Sequence, residues 1–137
     1  MSKWREVRLG DVADIIMGQS PKSIYYNNVG EGLKFLQGNR TFGRIYPTYD
    51  TYTIKATKRA EKGDILPSVR APVGDINLAN TKCCIGRGIS AIRSKENNLF
   101  LFYNLIYNKK RLKTTENGTT YGSINKGDLE NFKIKLP

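Results

Sequence analysis

The sequence predicts an α+β domain: a curled, mainly antiparallel sheet of short strands with one longer packed helix and short helical turns. Three observations predict it. Short apolar runs between Leu33 and Ser94 are each bounded by Gly, Asn or Asp, the punctuation of strands. Only one stretch, Asn97 to Lys113, repeats its apolar residues at helical spacing. The strands follow one another too closely for helical crossovers, which argues against βαβ units. At 137 residues the chain fits one domain, 1–137, around a single core.

Taken in order, "WREVRLGDVADII" reads as a short strand around Val7 to Leu9 and then a helical turn, with Gly10 and Asp11 supplying a break and a cap. "GQSPKS" is a loop. "LKFLQG" is a strand, and "NRTFGRIYPTYDTYTI", with Gly43 and Pro47 as breakers, is hairpin or loop. "GDILPSV" turns into a strand, and "GDINLA", "KCCIG" and "GISAIRS" are strands. In the helix, Asn97 or Asn98 caps the start, and Leu101, Phe102, Leu105, Ile106 and Leu112 fall within an arc of about 140° that faces the sheet. Lys109, Lys110, Arg111 and Lys113 fill its last turns, suited either to the helix dipole or to phosphate. "TTENGTTYG" is a polar loop, "NKGDLEN" a helical turn and "FKIKLP" an edge strand.

A net charge of +11 bears on partners rather than on fold, and nucleic acid is the commonest intracellular polyanion. No apolar run approaches the roughly 20 residues of a membrane span, and "MSKWREVRLGDV" lacks an apolar signal segment, so the reading is cytoplasmic, with no membrane partner. The absence of histidine excludes histidine bases, triads and histidine-ligated metals. Adjacent Cys83 and Cys84 lack the spacing of metal ligands and read as small half-buried strand residues, so no metal is expected. No phosphate-loop pattern occurs. Several acids sit in turns, Asp64, Asp75 and Asp128 among them; Asp64 and Asp75 alone hint at a metal-dependent nuclease, without a D-x-E-x-K pattern to support it.

Basic residues interleaved with aromatics are the strongest chemical signal. "NRTFGRIYPTYDTYTIK" carries Arg40, Arg44, Tyr46, Tyr49 and Lys55, suited to guanine edges and phosphates. "ENGTTYGSINKG" adds Thr119, Thr120, Tyr121 and Lys126 on a loop. Two further arginines, Arg70 and Arg87, lie beside Pro or Gly in mostly uncharged runs, and the residues alone leave open whether they hold the fold or reach for a ligand.

The order of the pieces is more specific than any one. "W…VRLGDVADIIMGQSP", "FLQG", "GDILPSVRAPVGDINLA", "CIGRGISAI", a helix and "GSI…L…I.LP" resemble the target recognition domain of the specificity subunit of type I restriction–modification enzymes, over essentially the whole chain. The most specific parts are Gly18 to Pro21, Ser68 to Gly74 and Cys84 to Gly88. The resemblance implies sequence-specific binding of double-stranded DNA, reading one half of a bipartite target, with no catalysis and no cofactor. S-adenosylmethionine would belong to the partner methyltransferase (modification) subunits, through which restriction subunits join. It implies that Arg70 and Arg87 are shared framework, paired with Asp64, Asp75 or backbone carbonyls, or else sequence-blind phosphate contacts. A full subunit of that kind continues with a spacer helix and a second recognition domain, which the 137 residues do not include; the expectation is an excised or truncated unit. The alternatives are the nuclease and a methyltransferase-docking module with little DNA affinity of its own.

Overall fold

The computed structural model describes residues 4–114 and 118–137. The middle of the "TTENGTTYG" loop, residues 115–117, lies outside them. The chain is α+β and mainly antiparallel, as predicted, but its strands divide into three sheets, and one pair is parallel.

The first sheet joins β1 (Arg5–Arg8) to β11 (Lys133–Leu136), with Arg5 opposite Leu136 and Arg8 opposite Lys133. The second has the order β2 (Ala13–Met17), β10 (Ser90–Ser94), β7 (Ile65–Pro67), β8 (Ile76–Leu78). The third has the order β3 (Tyr26–Asn27), β5 (Tyr52–Thr53), β4 (Leu33–Leu36), β9 (Cys83–Ile85), β6 (Arg59–Ala60). Strand β2 was not foreseen. Its Ala13 and Ile15 point into the core, as period-two alternation requires. The single turn α1 (Leu9–Val12) precedes it with no break. Asp11 does not cap that turn; it lies 3.8 Å from Arg8 on the surface.

The second sheet is the middle layer. Ile65 and Ile92 face one core with Leu101, Phe102 and Leu105 of α2 (Asn98–Tyr107); Leu66 and Ala91 face a second core with Leu36, Cys83 and Ile85 of the third sheet. Successive residues of β7 and β10 therefore serve opposite faces, which only a sheet covered on both sides permits. The helix begins as predicted, with the Asn97 side chain accepting from Phe100 N. It does not run unbroken to Lys113. At Asn108 the side chain donates back to Asn104 O, the backbone leaves helical geometry, and a separate α3 (Lys109–Lys113) follows. Ile106, at the edge of the predicted apolar arc, is partly exposed. The turn α4 (Lys126–Glu130) carries a full capping box between Asn125 and Asp128. No helix among the described residues is long and apolar enough to cross a membrane.

The second and third sheets meet where three stretches of backbone cross. Gly18 N donates to Ile89 O (2.9 Å), Gly86 N to Leu36 O (2.7 Å) and Gly88 N to Gln37 O (3.0 Å). There is no room for side chains at this crossing. A Cβ on Gly18 would lie 1.9 Å from Gly86 O, and one on Gly88 2.7 Å from Gln37 O. Both obstacles are backbone, so neither can swing aside.

Gly18→Ala is expected to cost at least about 2 kcal/mol in denaturant unfolding, because backbone must shift. Gly38→Ala, whose Cβ meets nothing within 4 Å, is expected to stay within about 0.5 kcal/mol. Equal losses in the two variants would remove the crossing as the cause.

Candidate nucleic-acid interface

The crossing delivers three short segments to one surface. After β4 the chain runs through Gln37, Gly38 and Asn39; the β7–β8 connection presents Arg70; the β9–β10 turn presents Arg87. Together these residues line a cleft of about 220 Å³. Their positions are held by hydrogen bonds. Arg87 N donates to Ser20 Oγ (3.1 Å), and that hydroxyl donates to Gln37 Oε1 (2.7 Å). Val69 N donates to Gly88 O (2.8 Å). The buried Ser68 closes the β7–β8 connection: its hydroxyl donates to Pro72 O (2.8 Å) and accepts from Asp75 N (3.0 Å). Ala71 N donates to Gly122 O and Ile124 N to Val69 O, which draws the 118–123 loop alongside.

Arg70 and Arg87 are both exposed, and no carboxylate among the described residues lies within ion-pair distance of either. The expected pairing with Asp64 or Asp75 is corrected. Asp64 is buried and accepts two bonds from Arg93, from Nε (2.7 Å) and Nη2 (2.8 Å), and a third from Glu61 N. Asp75 is taken by Asn39 Nδ2 (2.7 Å), Lys109 Nζ (3.1 Å) and Lys113 Nζ (3.9 Å). Lys110 is exposed, whereas Lys109 and Lys113 thus serve the fold. So does Arg111, which donates to Lys133 O and covers the ring of Phe132.

A second cleft, of about 360 Å³, shares Gln37, Gly38 and Asn39 and extends the surface to Arg40 and Asp50. Arg40 Nη2 lies 2.7 Å from Asp50 Oδ1, and that hydrogen bond holds the Asp50 carboxyl below its ordinary range. Of the other predicted residues, Arg44 and Tyr46 are exposed on a loop fastened to β8 through Asn77, which bonds both the N–H and the carbonyl of Gly43. Lys55 is exposed, with its ammonium 5.2 Å from the Tyr25 ring centre. Tyr49 instead packs against the second core and donates to Asn80 Oδ1 (2.8 Å). Tyr121 is half-buried against the first core, Thr120 bridges to Thr114, and Thr119 and Lys126 are exposed. The clefts therefore gather Arg40, Arg70 and Arg87 and leave the remaining candidates outside. Gln37, Asn39, Ser20 and Asp50 were missed. The only local signal for the first two was the polar "QGN" directly after an apolar strand.

Both cysteines lie in a strand, as read from sequence, but they are fully buried rather than half-buried, because β9 sits inside the third sheet between β4 and β6. Burial pushes the Cys83 thiol up to about 12. Among the described residues no group of three or more Cys, Asp or Glu side chains is arranged to hold a metal ion.

The family model of the type I restriction modification DNA specificity domain matches residues 1–137, and the chain belongs to that family. Among its relatives is a protein of Methanocaldococcus jannaschii, the type I restriction enzyme MjaX specificity subunit, 50% identical over 98% of this chain and 33% of the relative. Solved structures agree. The HsdS subunit of Thermoanaerobacter tengcongensis superposes with a TM-score of 0.87 at 47% identity, covering 98% of this chain and 33% of that one. A chain from a study of complex assembly and conformational transition in the type I R-M system gives 0.89 at 47% identity, covering 98% and 34%. The S subunit of M. genitalium, at 18% identity and a TM-score of 0.73, shares the fold. The chain thus spans about a third of the length of these relatives.

Because the Cys83 thiol is raised in the folded state, the unfolded chain releases its proton first as pH climbs. Stability should be undiminished by this group below about pH 9 and should fall between about 9 and 12, by up to about 1.4 kcal/mol per pH unit. Unfolding midpoints across that window, with Cys83→Ala losing part of the decline, check this. A thiol reagent at pH 8 is expected to leave the folded chain unmodified.

Proposed function

We propose that this chain is a DNA target-recognition domain. It binds double-stranded DNA and reads one half of a bipartite target for a type I restriction–modification complex, with no catalysis and no cofactor of its own. The observation that carries the reading is the pair Arg70 and Arg87: two exposed arginines with no carboxylate partner among the described residues, whose backbones the crossing holds at one cleft. Unneutralised arginines on a rigid frame suit phosphate oxygens, which set the register of a duplex without choosing its sequence. Family membership supports the same reading. S-adenosylmethionine falls to the partner modification subunits, restriction subunits join through them, and the cytoplasm is where such a complex meets its DNA.

The nuclease alternative loses its basis, since Asp64 and Asp75 are consumed by Arg93 and by Lys109, Lys113 and Asn39. The docking alternative has one observation in its favour. Trp4 stacks on Phe100 with both rings exposed, and Tyr103 and Tyr107 extend that surface along α2. Those elements contribute nothing to the clefts, so docking there is compatible with DNA binding.

Binding to duplex DNA should weaken with salt, with a log–log slope of about −0.9 per phosphate neutralised. Arg70→Ala and Arg87→Ala should each lower affinity for all duplexes alike and flatten the slope by about one contact, with the preferred sequence unchanged. Fluorescence anisotropy across a salt series measures both. A changed preferred sequence in either variant would overturn the phosphate assignment.

A further inference from the structure

We propose that Asp50 is a positioning residue for base readout, holding Arg40 so that its guanidinium meets a guanine. The inference rests on the DNA-recognition reading above and assigns one base contact within it.

The pair is built on fixed backbone at both ends. Arg40 sits in the helical turn Asn39–Thr41, closed by Phe42 N donating to Asn39 O (3.0 Å) and by Thr48 N donating to Thr41 O (2.9 Å). The Asn39 side chain pins that turn to Asp75 Oδ2 (2.7 Å) and Pro72 O (3.2 Å). Asp50 is held by its neighbour: Thr51 donates its hydroxyl to Asp50 Oδ1 (3.1 Å), while Thr51 O accepts from Phe35 N of β4 (2.9 Å). The two side chains meet at 2.7 Å although they are 72% and 55% exposed. An ion pair in water contributes little to stability, so folding alone does not account for a carboxylate here.

Electrostatics decides what the pair can face. A phosphate beside Arg40 would also lie beside the Asp50 carboxylate, and the like charges repel. Arg70 and Arg87, without such a neighbour among the described residues, are the phosphate contacts. A base edge carries no net charge and tolerates the carboxylate. Of the five N–H groups on Arg40, the bond to Asp50 uses one, at Nη2, and leaves a fork of parallel donors. Guanine presents two acceptors, O6 and N7, to such a fork; adenine sets an amino group in place of one of them. Fixing a long side chain before DNA arrives removes the freedom it would otherwise lose on binding, so the geometry that matches guanine is favoured over those that do not. Asp50 therefore costs attraction to DNA in general and adds preference at one position.

The test is selection from a randomised duplex library, read by sequencing, for the unaltered chain and for Arg40→Ala, Asp50→Ala and Asp50→Asn, with duplex affinity and thermal stability measured on each. The unaltered chain is expected to prefer guanine at a position that Arg40→Ala no longer specifies. Asp50→Ala is expected to lose that preference by about tenfold, keep the others, and bind random duplex as tightly or more tightly at unchanged thermal stability. Asp50→Asn, which keeps an accepting oxygen, should lie between. If Asp50→Ala keeps the guanine preference that Arg40→Ala loses, the positioning role is overturned while DNA recognition stands. If Asp50→Ala lowers thermal stability and all affinities together, Asp50 is structural and the proposal fails. If the unaltered chain binds no duplex at low salt, or binds without preference, the recognition reading itself fails and takes this inference with it.

Discussion

The crossing of backbones at Gly18, Gly86 and Gly88 is the constraint on which the rest depends. Three chain segments approach more closely than any side chain allows, and their N–H and carbonyl groups bond to one another directly. That contact joins the middle sheet to the outer one beside the second apolar core. It also delivers Gln37, Arg70 and Arg87 to one surface without relying on the flexible ends of their side chains. Stability and site geometry are here the same set of bonds.

Around the crossing, buried polar groups restrain loops. Asp64 closes the turn after Glu61 and accepts both donors of the Arg93 fork; Ser68 closes the β7–β8 connection; Asn77 clamps Gly43. Each is satisfied, as a buried polar group must be. The same bonds distribute charge. By absorbing Asp64 and Asp75 internally, the fold leaves Arg70 and Arg87 without a counter-ion among the described residues, and a positive charge with no local partner attracts phosphate from solution.

Much of this was legible in the sequence, and the failures have physical reasons. Strands β7 to β10 were readable because Gly or Asn bounds each apolar run, and the capped start of α2 because Asn97 stands immediately before a periodic stretch. Strand β2 was hidden because α1 passes into it with no glycine between them. The break at Asn108 was hidden because a side chain bonding back to the preceding turn leaves the apolar period untouched. At the site, Arg40 was a candidate from the sequence while its partner Asp50, ten residues on, was not: their meeting depends on how the intervening loop folds back along β4. The packing of Tyr49 on the second core was hidden because an aromatic beside basic residues has the same local signature whether it turns to the core or to DNA. Charge and composition point to a partner. They do not say which side chains the long-range pairings bring together.

The first sheet, β1 against β11, contributes nothing to the clefts, yet it sets how the unit sits in any longer polypeptide. Its strands run antiparallel, with Arg5 opposite Leu136, so the chain enters and leaves at one corner, about 5 Å apart. A unit whose two ends lie side by side can be inserted into or exchanged within a longer polypeptide without moving the chain on either side of it.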